Sequence, residues 1–200
     1  MRSLTFLSFA ILIISMGYPA QSYAQTYTIS ESSTMTILGT ANVRDWDAEV
    51  TSISGEVTLR PVDELDWSQA EASWFEQVEI SIPVSEIDSD SRRMNRSMHE
   101  YLREDDYPEI TYSLSEAHQF VISDNPGYQL KLSGIVQAAG ESLEIEHDVE
   151  IQELENGGFR VSGSQDLNMT DFGIDPPTAV LGTVRARDEM TIEFELILEK

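Results

Sequence analysis

Three histidines, His99, His118 and His147, and 36 carboxylates are the side chains of this 200-residue sequence that could carry acid–base or metal chemistry. The histidines stand far apart, the sequence has no cysteine, and no serine sits in a Gly-x-Ser-x-Gly setting, so no nucleophilic triad is written in the chain. Carboxylates are so abundant that chance pairs are guaranteed, and an acid/base pair cannot be told from surface charge without geometry. His147-Asp148 is a poor chelate, because neighbouring side chains on a strand point to opposite faces. His147 falls in an apolar row, where a core histidine hydrogen-bonded to backbone or water is the commoner outcome; there it can also meet the polar group of a buried ligand. No catalytic residue, metal site or cofactor is expected, and the residues do not point to an enzyme.

The second chemical cluster is basic. Arg92, Arg93, Arg96 and Arg103 supply a third of the 12 basic residues of a chain whose formal charge is −24. An acid excess of that size excludes nucleic acid as a partner, since phosphate contacts need a basic footprint. Within it the arginines form a positive island. Arginine forks match phosphate oxygens, so Arg92, Arg96 and Arg103 are candidates for an anionic head group or for transient contact with a membrane surface. The plainer alternative is a solvated helix face with the pairs Asp88 to Arg92 and Arg96 to Glu100.

These residues ride on elements legible from periodicity. Alternation with period two runs from end to end: Leu143, Ile145, His147, Val149 and Ile151 face one side while Glu144, Glu146, Asp148, Glu150 and Gln152 face the other. Met190, Ile192, Phe194, Leu196 and Leu198 repeat the pattern, and both runs read as half-buried strands with one wet face. Shorter runs are expected as strands at Tyr27–Ser30, Met35–Thr40, Trp46–Val50, Glu56–Arg60, Val78–Val84, Ile110–Leu114, Tyr128–Val136 and Phe159–Ser164. Asp124-Asn125-Pro126-Gly127, Ala139-Gly140 and Asn156-Gly157-Gly158 are hairpin turns by composition, so sequential strands pair antiparallel. Between Asp90 and Arg103 the period changes: Met94, Met98, Tyr101 and Leu102 gather on one helical face, with Arg92, Arg96, His99 and Arg103 opposite. Ser89 or Asp90 is the expected cap, and Pro108 closes off extension. Such a chain folds as a sandwich or as a closed barrel, and periodicity does not separate the two.

Arg2 followed by an apolar run to Met16, then Ser22 and Ala24, reads as a secretory signal peptide over residues 1–24, too short to span a bilayer. The remainder, 25–200, is the size of one domain. It is expected to be periplasmic or secreted, and without cysteine it has neither a lipoprotein anchor nor a disulfide.

Three segments in register resemble the YceI-like family. They are Gly39-Thr40-Ala41-Asn42-Val43-Arg44-Asp45-Trp46; then Met94 to Ile110 with Met98, Leu102 and Tyr107-Pro108-Glu109-Ile110; and Met169-Thr170-Asp171-Phe172-Gly173-Ile174 with Pro176-Pro177. The resemblance covers nearly the whole mature chain. It implies an all-β fold: an extended, lipocalin-like antiparallel barrel of about eight strands with one short amphipathic helix and an internal apolar channel. Better-known members bind polyisoprenoids such as isoprenoid quinones or polyprenyl derivatives. The chain departs from commoner members at Arg93-Met94 and His99-Glu100, and Tyr112 stands where phenylalanine is usual, so head-group specificity does not carry over.

The expectation is therefore an exported carrier or store of a long isoprenoid in the cell envelope. Trp46, Met94, Met98, Leu102, Tyr107, Tyr112, His147, Phe172 and Ile174 are expected along the lipid, with the helix and the 171–178 loop framing the mouth. The rival is a ligand-free acidic envelope protein, its barrel filled by side chains, that binds a protein partner or cations. Which lipid is bound, and whether two barrels pair as a dimer, stays open at this stage.

Overall fold

The computed structural model describes residues 24–61, 72–122, 127–179 and 182–200. The expected signal peptide, apart from Ala24, and most of the expected Asp124–Gly127 turn lie outside the described residues. The expected strands all form, and their pairing closes a ring.

The first three long strands are each broken once. β1 (Gln25–Ile29) continues as β2 (Thr34–Ala41), β3 (Trp46–Val50) as β4 (Ser54–Leu59), and β5 (Phe75–Pro83) as the two-residue β6 (Ile87–Asp88). The breaks lie side by side, at Ser30–Ser33, Thr51–Ile53 and the single 3-10 turn Val84–Glu86. Thr51 bridges the last two, its N–H and hydroxyl both donating to the Glu86 carbonyl. Beyond them run unbroken strands: β7 (Glu109–Ile122), β8 (Tyr128–Ala138), β9 (Glu141–Glu153) and β10 (Phe159–Asn168). They are followed by the short β11 (Thr178–Ala179) and by β12 (Val184–Glu199).

Every pairing is antiparallel, in the order β1-β4-β5-β7-β8-β9-β10-β12, and β12 returns to β1 through Thr28↔Glu199 and Ile29↔Leu198. The molecule is thus a closed eight-stranded barrel, not a sandwich. The other half of the broken strands, β2-β3-β6, extends the wall from β12 at one end. Ala139 and Gly140 both take positive φ (52° and 88°) in the two-residue β8–β9 turn, the backbone that matches hairpin twist.

At the end away from the helix apolar side chains gather in a buried cluster. Tyr27, Leu59, Leu130, Phe159 and Leu198 are buried there, with Tyr27 and Phe159 edge to face at 5.0 Å. At the other end α1 (Arg92–Tyr101) lies across the mouth. Its cap is Ser91, which accepts from the Met94 N–H, rather than Ser89 or Asp90. Asp90 is left-handed (φ 59°), and Ser89 is engaged through its N–H and hydroxyl with the Asn95 side-chain carbonyl at 2.9 and 2.6 Å. The ten-residue helix, about 15 Å long, is tied at both sides: a His99 ring nitrogen meets the Ile87 carbonyl of β6, and Arg103 just beyond it donates to the Ala139 carbonyl.

Candidate functional site

From that cluster to the helix the barrel encloses one continuous cavity of about 800 Å³, within the roughly 300–1,000 Å³ of small-molecule sites. The inward rows of the strands form its wall, for example Met190, Ile192 and Phe194 of β12 with Ile145 and Val149 of β9. Polar residues collect at the helix end, where Arg44, Asp45, Ser89, Ser91, Arg93 and Ser97 line the opening. The large hydrophobic residues exposed among the described residues, Val43, Tyr101 and Tyr107, also belong to this end.

Of the residues singled out from sequence, Trp46, Met94, Met98, Leu102, Tyr112, His147, Phe172 and Ile174 line the cavity. Tyr107 does not. It is 38% exposed, packed over Gly140 and under the Arg103 guanidinium, 4.6 Å from its ring centre. The helix turns Met94, Met98, Tyr101 and Leu102 inward together, as the 3.6-residue period requires. By the same geometry Arg92, Arg96 and Arg103 are exposed and lie off the cavity wall. Arg103 is turned toward Asp106 (3.6 Å), Tyr107 and the Ala139 carbonyl. The arginines that reach the mouth are Arg93 and Arg44. The pairs Asp88–Arg92 and Arg96–Glu100 do not form; Asp88 instead accepts from the Asn95 amide and the Asp90 N–H, which hold its carboxyl below the usual carboxylate range.

Halfway along the channel the apolar wall is interrupted. Tyr112 of β7 lies flat over Gly134 of β8, where a Cβ would overlap its ring, and reaches His147 of β9 edge to face at 5.4 Å. The Tyr112 hydroxyl and His147 Nδ1 are buried and have no hydrogen-bond partner in the protein. Burial pushes the phenol up to about 12. Burial also pushes the imidazole down, against the pull of the neighbouring Asp148 carboxylate, so both groups are neutral at pH 7. Gln165 of β10 lines the same stretch; a polar residue in the inward row Val161, Gly163, Gln165, Leu167, it was visible to the alternation rule but not singled out by it.

The profile of the YceI-like domain matches residues 26–198. The chain belongs to the YceI-like family. Solved structures share the YceI-like fold at low identity. BcnA of Burkholderia cenocepacia is 16% identical, with 82% of this chain and 95% of that one covered and a TM-score of 0.62. A polyisoprenoid binding domain from Saccharophagus degradans implicated in plant cell wall breakdown is 13% identical, covers 86% and 97%, and scores 0.64. The YceI protein of Campylobacter jejuni is 18% identical, covers 76% and 84%, and scores 0.56. No curated protein sequence matches the chain.

The YceI-like segments each build part of the mouth. Gly39 pairs with Trp46 across β2 and β3, and the indole lies where a Cβ of residue 39 would stand, so glycine lets a large ring lie flat against the wall. Asn42 pins this hairpin to the start of β12: its amide donates to the Thr183 carbonyl and its Oδ1 accepts from the Arg185 N–H. In the third segment Met169–Phe172 is a single 3-10 turn, closed by left-handed Gly173 (φ 67°). Asp188 accepts from the Thr170 N–H (2.9 Å) and hydroxyl (2.6 Å). These two bonds hold the turn that buries Met169, Phe172 and Ile174 against Ala138 and Ala139.

Proposed function

We propose that the barrel holds a long isoprenoid lipid, a quinone or another polyprenyl derivative, in its channel, for carriage or storage in the cell envelope. The observation that carries this reading is the cavity: it is continuous, lined mainly by apolar side chains and open where polar side chains gather. The Saccharophagus degradans domain of the same fold, described as polyisoprenoid binding, supports the ligand class. The signal-peptide pattern of residues 1–24 supports a periplasmic or secreted location. The activity proposed is binding, without turnover.

At about 0.8 kcal/mol per buried CH₂, each five-carbon unit contributes a few kcal/mol against water, before the costs of association. A bilayer offers the tail an equally apolar home, so selectivity rests on channel shape and on polar contacts. Loading then requires transient contact with a membrane, and the rim of Val43, Arg44, Arg93 and Tyr101 is the surface proposed to make it.

Lipid extraction from the purified protein, followed by mass spectrometry, is expected to show a stoichiometric isoprenoid, and a fluorescent apolar probe is expected to bind saturably and be displaced by a long-chain quinone. Preparations that stay free of lipid and take up neither probe nor quinone overturn the reading in favour of the ligand-free rival.

A further inference from the structure

We infer that α1 is a lid, hinged along β6 and clasped at its far end by Arg103, and that release of this clasp sets the rate at which the channel loads and unloads. The inference rests on the channel reading above and adds how the channel is entered.

The helix is lightly held. Among the described residues β6 ends the sheet order and pairs with β3 alone, so beside it the wall is completed by α1 instead of another strand. Among the same residues no backbone hydrogen bond joins residues 90–107 to a strand; those of the helix and of the turn after it stay within the segment. None of the ten helical residues is buried, so Met94, Met98 and Tyr101 line the cavity without being enclosed themselves. A helix this short has little stability of its own in water. Segments with few buried apolar contacts are the ones that open locally.

Side chains make the attachment, and they divide into two ends. On the β6 side the Asn95 amide donates to the Asp88 carboxylate, and its Oδ1 accepts from the Ser89 N–H and hydroxyl. A His99 ring nitrogen meets the Ile87 carbonyl at 3.0 Å on that same side. Across the mouth the tie is Arg103, which donates to the Ala139 carbonyl at 3.1 Å while its guanidinium covers the Tyr107 ring.

Backbone conformation falls on the same points. Asp90 (φ 59°) and Arg103 (φ 58°) are left-handed and bracket the helix. Left-handed backbone disfavours a residue that carries a side chain by about tenfold, and such residues collect at clamps and switch segments. Helices commonly end in this conformation, but with glycine in the place Arg103 holds. What the position gains from arginine is the reach to Ala139. The closed lid is therefore strained at its hinge and at its clasp.

Arg103 lies off the cavity wall and touches no ligand. Loosening it shifts the lid in the empty and the filled barrel alike, so entry and exit quicken together and affinity stays put. A residue of the wall would instead change exit and affinity.

The test is stopped-flow fluorescence on the full mature protein with diphenylhexatriene as probe, entry followed on mixing and exit on transfer to excess phosphatidylcholine vesicles. In Arg103→Ala both rates are expected to rise about tenfold, the scale of one hydrogen bond to a charged group, with Kd within about twofold of wild type. Arg103→Gly loses the same bond but not the left-handed backbone at ease in it, so its rates should rise less than those of Arg103→Ala. Arg96→Ala, an exposed charge on the same helix, should keep wild-type rates. Circular dichroism establishes that each variant is folded. Unchanged rates in folded Arg103→Ala, a change in Kd with entry unaltered, or an equal rise in Arg96→Ala overturns the lid while leaving the channel intact. Should Arg103→Ala not fold, amide exchange in wild type decides: residues 92–102 are expected to open far more readily than β8 and β9, and equal protection overturns the inference. A protein that takes up no probe overturns the channel reading and the lid with it.

Discussion

Gly39→Ala is a one-methyl change whose effect should reverse sign with the residue facing it. Gly39 has the ordinary negative φ of an extended strand, so alanine fits its backbone. On backbone grounds alone alanine in a strand gains about 0.5–1 kcal/mol over glycine. The Trp46 ring occupies the space the new methyl needs, and displacing a packed ring costs about 1–3 kcal/mol. The single substitution should therefore destabilise by up to about 2–3 kcal/mol, a fall of about 2–4 °C in Tm per kcal/mol for a domain of this size. It should also weaken probe uptake, because the indole lines the channel and is pushed into it. In a Trp46→Ala background the methyl meets no ring, and the same change should be neutral or stabilising. Urea unfolding of the four proteins of this double-mutant cycle gives the coupling directly. An equal cost of Gly39→Ala in both backgrounds, or no cost in either, refutes the claim that the glycine exists to seat the indole.

Asp188 offers a pH test. Its carboxyl is held below the usual range by the Thr170 hydroxyl and N–H, so its stabilising effect is present above the unfolded-state value and is lost as pH falls through the depressed folded one. The Thr170 amide resonance should follow that loss, and Asp188→Asn should abolish the dependence; an unchanged profile in the variant assigns it elsewhere. A spectrophotometric titration should show a phenol ionising near 12 that is absent from Tyr112→Phe. Because its folded value is raised, stability should decline between about pH 10 and 12. His147 has the opposite sign. Its folded value is lowered by burial, so acidification below about pH 6.5 should destabilise wild type more than His147→Leu, and equal acid sensitivity of the two proteins contradicts the burial argument.

Strands, hairpin turns and the helix were readable along the chain because each is written in local order. Alternation marked both faces of β9 and β12, Ala139-Gly140 marked a turn, and Met94, Met98 and Leu102 marked the helix face that meets the cavity. The cap was misplaced because Ser89, Asp90 and Ser91 are equivalent as types, and only the Asn95 contacts of Ser89 decide among them. For a related reason, helical period places Arg92, Arg96 and Arg103 on one face, but how that face sits relative to the opening depends on how the helix is tied to Ile87 and Ala139.

What the amino-acid order determined by itself is therefore the set of elements, the acidic outer face and the apolar inner one, because side-chain alternation is a property of a single strand. Closure into a ring belongs to the tertiary structure alone, since it depends on β12 meeting β1 across nearly the whole length of the chain. The pairing of Tyr112 with His147 has the same origin. Strand register sets Tyr112 level with Val136 and Leu143, and its ring meets His147, 35 positions away, only by lying diagonally over Gly134, a meeting no local pattern records.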